Sequence, residues 1–147
     1  MNIIAFDLGA NFGWARNGDP GSAGHTLLTG PRAHRQGQLL EYVTSLLITG
    51  PALDLVVYET PFARGRDATR SSWGSAGVIE AAASLAGFPV LDVAVGTIKK
   101  FATGNGCASK REMIDAAQRM GYGGSNEHMA DAWCLLKYAE ANAEKVQ

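Results

Sequence analysis

Met1-Asn2-Ile3-Ile4-Ala5-Phe6-Asp7-Leu8-Gly9-Ala10-Asn11-Phe12-Gly13-Trp14 is the stretch whose reading decides the fold. Ile3 to Phe6 combines β-branched and aromatic residues and stops at a turn signal, which predicts a buried strand. Asp7 ends that run, where a carboxylate is costly unless it is paired or holds a metal. Gly9 and Gly13 let the chain turn and approach whatever Asp7 holds. The plain alternative is a hairpin whose aspartate caps the turn, and the rest of the chain has to decide between the two.

Working outward, Phe12 to Arg16 is expected as a second strand after a tight turn at Gly9-Ala10-Asn11, and Asn17 to Gly21 is dense in turn residues. His25 to Thr29 reads as a third strand, so the opening is an antiparallel meander. Pro31 is placed to start a helix, and Leu39, Leu40, Val43, Leu46 and Leu47 form its apolar stripe up to Gly50-Pro51. Asp54 to Glu59 is a second apolar strand that ends in an acid, with Thr60-Pro61 as its stop. Phe62 to Trp73 is polar, arginine-rich and aperiodic, and reads as an exposed loop. Ser75 to Gly87 is expected as a helix with Val78, Ile79, Ala82 and Leu85 on its apolar side, followed by a strand at Phe88 to Val93. Val95 to Ala102 reads as a short helix before a flexible break at Gly104-Asn105-Gly106. Ser109 to Met120 is a helix with capping-box spacing between Ser109 and Glu112. The last helix runs from Glu127 to about Ala143, with Met129, Trp133, Leu135 and Leu136 as apolar cover. This order predicts an α/β domain with a mixed sheet flanked by helices.

The 147 residues suit one domain spanning 1–147, and 46% hydrophobic with 18% charged residues is the composition of a globular protein. No apolar run approaches the ~20 residues that span a bilayer. Cys107 and Cys134 lack disulfide-framework or zinc-site spacing. With no basic segment ahead of an apolar stretch there is no sign of a secretory leader, and the expectation is a cytoplasmic protein with reduced thiols. The net charge of -1 does not advertise general nucleic-acid affinity. Its distribution is more telling: Arg64, Arg66 and Arg70 crowd one stretch, and Lys99, Lys100, Lys110 and Arg111 another.

Two apolar strands thus end in carboxylates, Asp7 and Glu59, and neighbouring strands would bring both to one end of the sheet. His128 and Asp131 are three residues apart and share a helix face; Glu127, four before Asp131, can share it too. Two negative charges ~4 Å apart repel by about 4 kcal/mol at an effective dielectric near 20, so such a cluster calls for cations or protons. Oxygen-rich sets suit Mg²⁺ or Mn²⁺, and a pair of ions can clamp the attacking and leaving oxygens of a phosphodiester.

The chain resembles the RuvC family of Holliday-junction resolvases, in the RNase H-like superfamily, and most of all its shorter phage-type members. The resemblance rests on Ala5-Phe6-Asp7-Leu8-Gly9, on Val57-Tyr58-Glu59-Thr60-Pro61-Phe62, on Ile98-Lys99-Lys100 through Gly104-Asn105-Gly106-Cys107-Ala108-Ser109-Lys110, and on His128-Met129-Ala130-Asp131-Ala132. The pieces are short, but they are ordered alike and spread over most of the chain. The resemblance implies a five-stranded RNase H-like fold and four active-site positions around two divalent metals. Asp7 and Glu59 fall on the first two and Asp131 on the last. His128 occupies the third, often an aspartate, which leaves that role open between His128, as a ligand or a helper of the attacking water, and a substitute contribution from Glu127. Lys99 and Lys110 match lysines near the scissile phosphate; Lys100 and Arg111 are equally read as solvated neighbours. Arg64, Arg66 and Arg70, with Phe62 and Trp73, combine phosphate-binding groups with rings able to stack on unpaired bases. The family dimerises through the region of Ser75 to Gly87.

The expected function is therefore a homodimeric, metal-dependent endonuclease that nicks four-way or other branched DNA, leaving 5′-phosphate ends, with no membrane partner. Gly9 and Gly13 are read as clearance beside a metal-bound phosphate. Two other classes compete: a non-catalytic branched-DNA-binding module of the same fold, and an actin-like or sugar-kinase phosphotransferase domain, since Asp7-Leu8-Gly9 also opens phosphate-binding hairpins there.

Overall fold

A computed structural model describes residues 1–18, 21–63 and 65–145, so Arg64 and part of the Asn17–Gly21 turn lie outside the described residues. Five strands, β1 (Ile3–Asp7), β2 (Asn11–Arg16), β3 (Ser22–Leu27), β4 (Leu55–Glu59) and β5 (Val90–Val93), form one sheet in the order β3-β2-β1-β4-β5. The first three are an antiparallel meander, while β1 with β4 and β4 with β5 are parallel. Helices α1 (Arg32–Ile48) and α2 (Arg66–Ala86) cover one face; α3 (Val95–Thr103), α4 (Lys110–Arg119) and α5 (Glu127–Asn142) cover the other. This is the mixed five-stranded sheet expected from the sequence.

Strand β1 is central and buried along its whole length, as its unbroken apolar run requires. Successive side chains alternate between faces. Ile3 and Ala5 join Leu55 and Val57 in the core beneath α3–α5, whereas Ile4 and Phe6 join Val56 and Tyr58 in the core beneath α1 and α2. By the same alternation Asp7 and Glu59 belong to the α5 face. Phe6 pairs with Tyr58 in the register, so Asp7 and Glu59 are each one residue further along adjacent parallel strands.

Several local expectations need correction. The stretch from Arg66 to Trp73 is helical, the first two turns of α2, rather than loop. Its aperiodicity has a structural cause: none of these residues is buried, several line an open cleft, and the turns are carried by the buried half that includes Ala76, Ile79 and Ala83. Asp67 in the first turn suits the helix dipole, and Ser72 Oγ donates back to the Ala68 carbonyl. Leu85, expected on the apolar side, is 90% exposed, and Leu40 is exposed as well. Strand β3 begins earlier and ends earlier than His25–Thr29, because Asn11 to Arg16 pair with Leu27 to Ser22. Strand β5 starts at Val90, leaving Phe88 outside the sheet and packed against the α1–α2 core. Met129 and Trp133 are only partly buried; Ala130, Ala132, Leu135 and Leu136 make the contact face of α5.

The Ser109 capping box is present, with Glu112 N donating to Ser109 Oγ at 3.2 Å and Ser109 N to Glu112 Oε2 at 2.6 Å. Cys107 is exposed and Cys134 buried, both as free thiols. Among the described residues no helix is long and apolar enough to cross a membrane.

Candidate active site

Asp7 leaves the sheet at the C-terminal end of β1 with only 9% of its surface exposed. Helix α5 begins over this point. Its start is fixed by Asn126, whose side-chain oxygen accepts from the backbone N–H groups of His128 and Met129, each at 3.0 Å. The helix lies very close to the sheet because Gly13 faces it: a Cβ there would lie 2.4 Å from the His128 carbonyl oxygen. Gly13 pairs with Asp7 across β1 and β2. The clearance expected at Gly13 beside a phosphate is therefore clearance for the backbone of α5. Gly9 does border the cleft.

This close approach produces a chain of charged groups. His128 Nδ1 is 3.0 Å from Asp7 Oδ2, and His128 Nε2 is 3.3 Å from Glu127 Oε1. Glu127 in turn is 2.9 Å from the Lys110 ammonium at the start of α4. An imidazole facing carboxylates with both nitrogens can donate to both only as the cation. Accordingly the hydrogen bond to Asp7 raises the His128 pKa above its ordinary value. Burial raises that of Asp7 in spite of His128. Asp131, one helical turn beyond His128, is pushed up to about 7, first by burial and then by the charge of Asp7. Glu127 is held below its usual range by the hydrogen bond from Lys110. Burial and mutual repulsion thus make Asp7 and Asp131 hold their protons to higher pH than free carboxylates do.

These residues line one cleft of about 640 Å³. Its floor holds Asp7, Glu59, His128 and Asp131; Lys99, Lys110 and Glu127 stand on the side of α3–α5. Phe62, 61% exposed, lines it on the other side. Lys100, Arg66 and Arg70, expected to meet substrate, are exposed but do not line the cleft. Arg64 lies outside the described residues. Trp73 is 50% exposed. Among the described residues, no three His, Cys, Asp or Glu side chains are grouped closely enough to hold a metal ion as they stand. In this arrangement Asp7 is engaged by His128, and Glu127 by Lys110.

The cleft also has members that the sequence reading missed: Arg35 and Gln36 on α1, and Asp67, Ser71, Ser72 and Ser75 on α2. Their only sequence signal was the acid-free, basic start of α1 at Arg32, His34 and Arg35. Asp67, Ser71 and Ser72 had none, since that part of α2 was read as loop, and Ser75 was read only as the start of a helix.

An RNase H-like mixed sheet with carboxylates at the ends of its two central parallel strands and on its last helix defines the class of fold. Thermus thermophilus RuvC has this fold, with a TM-score of 0.77 and 22% identity over 99% of this chain and 96% of that one. The structure of T. thermophilus RuvC in complex with Holliday junction substrate matches at a TM-score of 0.80, with the same identity and coverage. The sequence itself matches no protein-family model and no curated protein.

Proposed function

We propose that the chain is a divalent-metal-dependent endodeoxyribonuclease that resolves branched DNA, of the Holliday-junction resolvase type. The observation that carries this reading is that Asp7, Glu59 and Asp131, from two strands and a helix, line one cleft, with Asp131 pushed up to about 7 by its surroundings. Carboxylates whose pKa values are raised by burial and by one another are ones that a hard cation stabilises, and carboxylate oxygens with one imidazole are donors suited to Mg²⁺ or Mn²⁺. Asp7, Glu59 and Asp131 would hold the ions, two in number by the family pattern, with His128 at the fourth position. Ions bound there supply electrophilic stabilisation of the phosphate and activation of the attacking water.

The chain's own groups have separate tasks. His128 orients the Asp7 carboxylate through its 3.0 Å contact. Lys99 and Lys110 offset the phosphate charge and the charge that grows on it as water attacks phosphorus and the 3′ oxygen leaves. Phe62 offers a ring on which an unpaired base stacks, and Arg66, Arg70 and Lys100 are outer contacts to the DNA backbone. Cutting two strands symmetrically calls for a homodimer. Supporting that reading, Trp73, Gly77, Ala81 and Leu85 form an exposed stripe along α2. The fold shared with a RuvC solved on Holliday junction substrate supports a four-way junction as the substrate.

The test is cleavage of a labelled four-way junction against a linear duplex of matched sequence, with Mg²⁺ or Mn²⁺. Wild type should nick the junction selectively, and Asp7→Asn should bind it while losing at least about 1,000-fold in rate, the scale of removing a major source of transition-state stabilisation. Cutting that survives Asp7→Asn, or no cutting with either metal, would contradict the mechanism.

A further inference from the structure

Lys110 and Glu127 are the first residues of two different helices that open onto the same cleft. The Lys110 side chain is 77% exposed, yet its ammonium lies 2.9 Å from the Glu127 carboxylate. Glu127 also faces His128 Nε2 at 3.3 Å, away from the closer contact that His128 makes with Asp7. The first turn of a helix disfavours a lysine and favours a glutamate, so pairing the two removes the electrostatic penalty that α4 places on Lys110.

We propose that Glu127 is a positioning residue that withholds Lys110 from solvent phosphates, so that the lysine engages DNA only when a phosphodiester enters the cleft and displaces the carboxylate. The inference rests on the nuclease reading above and assigns to Glu127 a role other than metal ligand. An ion pair this exposed is weak enough for a phosphate to displace it. Competition between the Glu127 carboxylate and a phosphodiester, each a single negative charge, also lowers affinity for DNA that presents its backbone without filling the cleft. In effect, Glu127 exchanges general backbone affinity for selectivity. Among the described residues, Lys110 is the cleft lysine within salt-bridge distance of a carboxylate.

Metal-free binding separates this from effects on chemistry. The full chain is titrated with a fluorescent four-way junction in EDTA between 50 and 200 mM KCl, as wild type, Glu127→Gln, Lys110→Met and the double variant. Releasing Lys110 in Glu127→Gln should tighten binding about three- to tenfold and steepen the slope of log K against log[salt] by about 0.9, the increment for one newly available phosphate-binding cation. In the Lys110→Met background Glu127→Gln should change neither quantity. Unchanged affinity and slope in Glu127→Gln, or equal tightening with and without Lys110, would overturn the proposal while leaving the nuclease reading intact. Failure of wild type to bind the junction at all would overturn both.

Discussion

On the side covered by α5, the sheet presents Ala5, Gly13 and Ala15, and the helix answers with Ala130 and Ala132. On the side covered by α1 and α2, it presents Phe6, Phe12 and Tyr58 to Leu39, Val43 and Ile79, with Phe6 and Phe12 stacked at 5.3 Å between centroids. Small residues on both partners let backbone approach backbone; rings hold the helices off. The first arrangement brings a histidine from α5 to 3.0 Å from an aspartate on β1. The second leaves α1 and α2 standing back, so that their ends wall an open cleft instead of closing over it. The site arises from this asymmetry: one layer is tight enough to concentrate charge, and the other wide enough to admit a polymer.

The sharpest way to break the asymmetry is Gly13→Ala. At a backbone angle that alanine can adopt, this exchange ordinarily stabilises by a few tenths of a kcal/mol to about 1. Here the added carbon would meet the His128 carbonyl at 2.4 Å. The sign reverses, and we expect a loss of about 3 kcal/mol in urea unfolding together with loss of metal binding. Phe12→Leu, on the other face, should cost about 1–2 kcal/mol by leaving a small cavity, with metal binding kept. Equal effects of the two substitutions on metal binding would remove the distinction between the faces.

A smaller effect appears in the pH dependence of the metal-free protein. Asp131 has its pKa pushed up to about 7, and Asp7 and His128 are both raised, so between their unfolded and folded values the folded state binds more protons than the unfolded one. Stability therefore falls as pH rises from about 4 to above 7. Glu127 is shifted the other way but is more exposed than Asp7. In EDTA the melting temperature should drop by about 5 °C between pH 5 and pH 8, and Asp131→Asn should flatten most of that decline. A melting temperature that rises over this interval, or an equal decline in Asp131→Asn, would mean that the acids are not crowded.

The same contrast explains what could be read from the sequence. Asp7 and Glu59 were legible because each ends an apolar run, and a run of that kind fixes both a central strand and the place of its last residue. The spacing of His128 and Asp131 was legible because helix periodicity is local. Gly13 was misread because its constraint comes from His128, distant in sequence, and nothing local distinguishes that from a turn. The first turns of α2 were missed because they overhang the cleft and bury no apolar face, which is the signal that marks a helix. The Lys110–Glu127 pair depends on how α4 and α5 are set side by side, and charge pattern alone does not carry that.

The central claim, that Asp7, Glu59 and Asp131 form one cation site, is tested most directly by calorimetric titration of the metal-free protein with Mn²⁺ at pH 8. Wild type should bind, and Asp7→Asn, Glu59→Gln and Asp131→Asn should each weaken binding by about tenfold or more, the factor that corresponds to about 1.4 kcal/mol. Affinity that is unchanged in all three variants would contradict it.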